Sequence, residues 1–430
     1  MSTRSCPALL FAAPAAGLGQ SSYTAALARA HVRAGRRVRV FKTGPDFLDP
    51  MILERAGGAP GGARDLWVGG ECEVRAQLHA AAGEADLILV EGMMGLFDGS
   101  PSAADLAQAL GLPVRAVIDA NALAQTFGAL ALGLARYRPG LSLEGVVASR
   151  VASDWHARLL RESLPREIAW RGALRECAQG RLPERHLGLL PASEVSDLES
   201  RIDALAQALC ADGLSPLPAP VSFPAADVEC VPPLLCGRRI AIAADAAFCF
   251  DYSANRALLR AAGAELVDFS PLAGDPLPDC DAIWLPGGYP ELHLPTLSAR
   301  RDLWSALHLH VEAGRPLLAE CGGLLALLTR LEDADGQAAA MAGLVPGSAR
   351  IGERLCGLGL QQVDLPEGRL RGHSFHYARA EIGQRAIAHA LDPNGAPTAE
   401  PVYRQRRLTA SFLHLYFPSN PRAACALFME

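Results

Sequence analysis

Lysine is all but missing from this sequence: of 40 basic residues in 430, only Lys42 is lysine and the rest are arginine. A chain that keeps a single ammonium points to a position needing a compact charge where a planar guanidinium does not fit. An excess of basic charge is lacking too. The formal net charge of −6 argues against a dedicated nucleic-acid binder, which needs a concentrated basic face. Anionic small molecules stay open as ligands through local arginine clusters. Long apolar runs are absent. The first residues are broken early by Pro14 and glycine, and the uncharged stretch 121–135, read as a buried helix, falls short of the roughly 20 residues a membrane span needs. The 11 cysteines form no close Cys-x-x-Cys pair, so neither a zinc site nor a disulfide framework is indicated. A cytoplasmic setting is expected, with no membrane and no nucleic acid among the partners.

What is present is alternation. Short apolar runs at 8–13, 38–41, 86–90, 114–118 and 145–148 are separated by helix-period stretches such as 23–34 and 74–82. Runs this continuously apolar suit parallel strands covered on both faces, so a doubly wound α/β domain is expected over 1–211. The stretch 212–236 has no helical period and is rich in proline, which reads as a linker. A second α/β domain over 237–430 follows, with strand-like runs at 239–244, 264–269, 282–285 and 316–319.

The first run leads through AAPAAGLGQSS (12–22) directly into a helix, the context of a phosphate-binding loop, with Gly17, Gly19, Gln20, Ser21 and Ser22 as its candidate contacts. The position that usually carries the loop lysine is Gln20. KTGPDFLDP (42–50) ends the second run and EGMMGLFDG (91–99) the third, so acids fall at the sheet edge where ligands of open α/β sheets bind. Ser21, Asp46 and Glu91 are the expected ligands of one Mg²⁺.

Taken together, the loop, KTGPDFLDP and EGMMGLFDG resemble the corrin-biosynthesis glutamine amidotransferases, the family of cobyrinic (or hydrogenobyrinic) acid a,c-diamide synthases. Their first half is similar to dethiobiotin synthetase, a P-loop fold. DLWVGGE (65–71) and IDANALAQTFGAL (118–130) extend the resemblance over the N-terminal half. It implies ATP and glutamine as co-substrates, magnesium on Ser21, Asp46 and Glu91, and Asp49 and Asp98 where ATP meets the substrate. The implied substrate is a tetrapyrrole amidated at its a and c carboxylates, and a homodimer is the open expectation for assembly. Gln20 departs from the family pattern, with Lys42 as the compensating or independent phosphate contact. Two alternatives share the motifs: a nickel sirohydrochlorin a,c-diamide synthase, and a degenerate tetrapyrrole-binding paralogue.

In the second half, PLLAECGG (316–323) sets Cys321 between a strand and an apolar segment, 324–331, read as helix. That is a nucleophile elbow, where a helix start favours thiolate. LPGGYPE (285–291) offers Gly287 and Gly288 as oxyanion donors. ASFLHLYF (410–417) reads as one strand carrying His414 as the base. The order resembles the class I glutamine amidotransferase domain, but Tyr416 stands where an acid often follows the histidine. GHSFHY (372–377) resembles a further corrin-enzyme motif, for which an active-site or interdomain role of His376 is expected.

Overall fold

Two large sheets, each built on a run of parallel strands and each in its own unit, 1–228 and 229–430, organise the chain in a computed structural model that describes residues 2–185, 188–209, 216–227 and 231–429. The first sheet runs in the order Ala63–Arg64, Val38–Thr43, Leu87–Gly95, Thr3–Ala13, Val114–Asp119, Leu143–Val151 and Trp170–Arg175, all parallel. Alternation along its central strand shows why these runs are apolar throughout. Leu9 and Phe11 pack on one face with Tyr23, Leu27 and Ile202, while Ala8, Leu10 and Ala12 pack on the other with Val74, Leu78 and Leu106. Each fully buried leucine or phenylalanine stabilises by about 1.5–3 kcal/mol.

Two expectations are corrected in this unit. The proline-rich stretch is not bare linker: Pro220–Pro224 pairs antiparallel with Thr3 to Pro7 of the first strand and buries Phe223. Its prolines stand at the two ends, leaving Val221, Ser222 and Phe223 to supply ladder N–H groups. Farther along, Leu235 is buried in the core of the second unit. The stretch 121–135 is not a buried helix either. The helix is Thr126–Arg136, and only Phe127, Gly128 and Ala131 on it are buried. No helix among the described residues is long and apolar enough to cross a membrane.

The second sheet begins as expected with parallel strands Glu265–Phe269, Arg239–Ala243, Ala282–Leu285, Leu317–Glu320 and Leu408–Ser411. It continues as an antiparallel extension, Pro397–Gln405, Ala388–Leu391, Gly357–Leu365, Gly368–His376 and the edge strand His414–Tyr416. Two segments read as continuous are broken. The helix after Cys321 is only Gly322–Leu327, followed by strand Leu328–Glu332, and 410–417 holds the end of one strand and then the separate His414–Tyr416.

Candidate active sites

In the first unit the carboxyl ends of three adjacent strands meet the loop that opens helix Gln20–Arg33. That loop needs glycine at two places: Gly17 has φ 74° and Gly19, which caps the helix, φ 87°. Ser149, which sequence reading did not single out, donates to the Leu18 carbonyl at 2.9 Å and braces the loop from strand Leu143–Val151, two strands away. Ser22 lies half-buried on the first helical turn.

At the centre sits Lys42. Strand register places it opposite Glu91, and its Nζ lies 2.6 Å from both Glu91 Oε1 and Asp49 Oδ2. Ser21 Oγ donates to Glu91 Oε1 at 2.6 Å and reaches Asp49 Oδ2 at 3.4 Å. Burial alone would lower the Lys42 ammonium, but Asp49 and Glu91, with Asp46 behind them, outweigh it and hold it raised above an ordinary lysine. Burial pushes Glu91 up, against Lys42 and the Ser21 hydrogen bond.

The structure therefore gathers Ser21, Lys42, Asp49 and Glu91. Asp46 is turned aside: its Oδ1 accepts the backbone N–H groups of Leu48 and Asp49 at 2.8 and 3.2 Å, capping helix Leu48–Gly57, whose first donors have no intrahelical partner. Burial and the neighbouring Asp49 push Asp46 up to about 7. Among the described residues no three His, Cys, Asp or Glu side chains are grouped to hold a metal. Gln20 Nε2 donates to the Gly92 carbonyl at 2.6 Å, tying the helix start to the adjacent strand end, and its Oε1 is buried without a hydrogen-bond partner. Asp98 closes its own turn by accepting the Gly95 N–H at 3.0 Å.

In the second unit Cys321 ends strand Leu317–Glu320 with φ 46° and ψ −103°, a strained non-glycine conformation that projects the side chain from the turn. Its N–H donates to Ser411 O at 2.8 Å, on the neighbouring strand. Glycines let the surrounding backbone close in. A methyl on Gly287 would lie 2.2 Å from His414 Cε1 and 3.3 Å from Cys321 Cβ, so thiol and imidazole converge on that glycine. One on Gly322 would meet Gly288 N at 2.7 Å, which sets the Gly288 amide beside the elbow.

The thiolate expectation fails here. Burial first, then the charges of Glu291 and Glu400, push the Cys321 thiol well up, and the Gly322 N–H does not offset them. His414 is buried and held well below an ordinary histidine by burial, then by His373 and His376. At neutral pH the pair is therefore a thiol beside a neutral imidazole. The two histidines of GHSFHY separate: His373 stacks on His414 with ring centroids 4.9 Å apart, its Nδ1 2.8 Å from Tyr252 Oη, while His376 Nε2 meets buried Glu400 at 2.9 Å. Tyr416 packs edge-on against Tyr252. Tyr252, His373 and Glu400 carried no sequence signal as neighbours, because long-range strand register alone brings them together.

Two family models match the chain: a CobQ/CobB/MinD/ParA nucleotide binding domain over residues 9–201 and a CobB/CobQ-like glutamine amidotransferase domain over 239–422. Among similar proteins, hydrogenobyrinate a,c-diamide synthase of Pseudomonas aeruginosa is 56% identical, covering 99% of this chain and 98% of its own length. That of Stutzerimonas stutzeri is also 56% identical, covering 99% of each chain. Cobyrinate a,c-diamide synthase of Herminiimonas arsenicoxydans is 44% identical, covering 99% of this chain and 97% of its own.

Proposed function

The chain belongs to the family of cobyrinate and hydrogenobyrinate a,c-diamide synthases, and we propose that it amidates the a and c carboxylates of such a macrocycle in cobalamin biosynthesis, using ATP and glutamine. The observation that carries this is identity of 56% over 99% of the chain, which spans both units. These relatives favour neither the nickel sirohydrochlorin reading nor the non-catalytic one.

A carboxylate oxygen is a poor leaving group, so the acid must first be activated. Its oxygen attacks the terminal phosphorus of ATP, ADP leaves, and ammonia displaces phosphate from the resulting acyl phosphate. Gly17 to Ser22 are the proposed cradle of the nucleotide phosphates, with Lys42 as the ammonium beside them in place of a charge at Gln20. Magnesium would be held by the hard oxygens of Ser21, Glu91 and Asp49 rather than Asp46, because Glu91 Oε2 is buried without a hydrogen-bond partner while Asp46 is engaged by the Leu48 and Asp49 N–H groups. When bound it neutralises phosphate charge. We assign Asp98 to the rim of the same site, where it holds the turn after strand Leu87–Gly95.

In the second unit His414 takes the Cys321 proton as sulfur attacks the glutamine side-chain carbonyl. Amides at Gly287 and Gly288 receive the oxyanion, ammonia leaves with the proton returned by His414, and water releases glutamate from the thioester. We assign His376, paired with buried Glu400 and close enough to His414 to weigh on its charge, to the surroundings of the same pair. No disulfide joins the described cysteines, which supports a reducing, cytoplasmic setting.

The test is turnover of purified protein with hydrogenobyrinate or cobyrinate, ATP, Mg²⁺ and glutamine, read as the mass gain of two carboxylate-to-amide conversions. Cys321→Ser should abolish glutamine use and retain activity with ammonium salts. Protein that never forms ADP with either macrocycle and either nitrogen source would sink the proposal.

A further inference from the structure

His414 stands on a weak support. Its strand, His414–Tyr416, has three residues, lies at the edge of the sheet and pairs on one side only, with Gly368–His376. In an antiparallel ladder the N–H and C=O of one residue point the same way and alternate along the strand. His414 and Tyr416 face the partner strand, so both backbone groups of Leu415 face the open edge. A slip of one residue would turn His414 to the other face.

Among the described residues no strand covers that edge, but two buried side chains do. Glu320 Oε1 accepts the Leu415 N–H at 2.7 Å, and Asn255 Nδ2 donates to the Leu415 carbonyl at 2.7 Å. Asn255 Oδ1 also accepts the Phe417 N–H at 2.8 Å. Glu320 is itself anchored, its Oε2 accepting the Trp284 indole N–H at 2.7 Å, and it is only 2% exposed. Glu320 immediately precedes Cys321, and Leu415 immediately follows His414. One carboxylate thus spans the neighbours of both reacting residues.

We propose that Glu320 is the positioning residue of the glutaminase pair, setting the His414 strand in register with the turn that carries Cys321. It does the work expected of the acid that Tyr416 replaces, but through the backbone rather than the imidazole. A carboxylate suits the task because it accepts two N–H donors from different directions, where a glutamine would turn an amide N–H against one of them. Keeping such a group costs stability, since burial pushes Glu320 up and the Leu415 and Trp284 hydrogen bonds, which favour the charged acceptor, oppose that rise.

The inference rests on Cys321 and His414 hydrolysing glutamine, and its test separates the two. In the full-length protein, Glu320→Gln should lower glutamine-dependent kcat by about 10²-fold, the loss a displacement near 1 Å produces. KM for glutamine should stay within about twofold and ammonium-driven amidation should be unchanged. The double variant Glu320→Gln/His414→Ala should be no slower than His414→Ala alone, because a positioning group has nothing left to position. Trp284→Phe, which removes the indole donor to Glu320 at the cost of some core volume packed against Phe417, should give a smaller kcat loss at unchanged KM, and it decides the matter if Glu320→Gln does not fold. Multiplying losses in the double variant, wild-type kcat in either single variant, or equal loss with ammonium would overturn the role of Glu320. Glutamine turnover at the wild-type rate in His414→Ala, or any turnover in Cys321→Ser, would instead overturn the reading beneath it.

Discussion

Replacing Lys42 by methionine removes a buried ammonium and leaves its two acids behind. The ammonium is 3% exposed, Glu91 is fully buried, and both lie within 2.6 Å contact. Asp49 is half-buried and can recover water, so the loss falls on Glu91, whose remaining donor is Ser21. Removing one partner of a buried pair costs about 3–5 kcal/mol, and the partial relief at Asp49 favours the lower figure. For a unit of this size each kcal/mol moves the melting temperature by about 2–4 °C, so the first unit should melt about 6–12 °C lower. The pH dependence has a definite sign. Burial already raises Glu91 above an ordinary glutamate, and without Lys42 it rises further. An acid raised in the folded state stabilises fully below its unfolded value and loses that contribution as pH climbs through the folded one. The deficit should therefore be large at pH 8 and shrink on acidification toward pH about 4.5. Lys42→Arg should also destabilise, because a planar fork does not fit the point occupied by Nζ. Scanning calorimetry across pH measures this. A melting temperature unchanged within about 1 °C, or a deficit that grows in acid, would refute the reasoning.

Three further outcomes are expected. Gly287→Ala drives a methyl to 2.2 Å from His414 Cε1 and should cut glutamine hydrolysis by about 10²-fold while sparing ammonium-driven amidation, and equal rates for variant and wild type would remove the glycine from the site. His414 is held well below the ordinary histidine value, so it stays neutral and competent as pH falls, and the acid limb of the glutaminase profile should lie well below the ordinary histidine range. A limb near pH 6.5 would contradict that. Gln20→Lys exchanges a neutral donor for a charged one beside the proposed phosphate cradle and should tighten ATP by roughly fivefold, about 1 kcal/mol, in a binding titration. An unchanged Kd would show that Lys42 already suffices.

Local chemistry was legible along the chain. A strand, a glycine loop and a helix start are consecutive residues, and so are the turn at Cys321 and its glycines. The choice between Asp46 and Asp49 was not. The two acids lie three residues apart, and the helix that starts at Leu48 claims Asp46 for its unpaired N–H groups, which leaves Asp49 to face Lys42. The antiparallel half of the second sheet was equally hidden. Its strands are half-exposed and of mixed polarity, as in Gly357–Leu365, so they lack the continuous apolar signal of the parallel ones.

By itself the order of residues determined the two α/β units, the phosphate-loop context and the Cys321 elbow, because each is written in short-range pattern: apolar runs, glycine and proline at turns, and a reactive side chain at a strand end. Tertiary structure alone decided which carboxylate meets the single lysine and what holds His414 in place. Those outcomes depend on register between strands far apart in the chain, where Leu415 reaches back to Glu320 and Glu91 lies across from Lys42, and no local spacing encodes such distances.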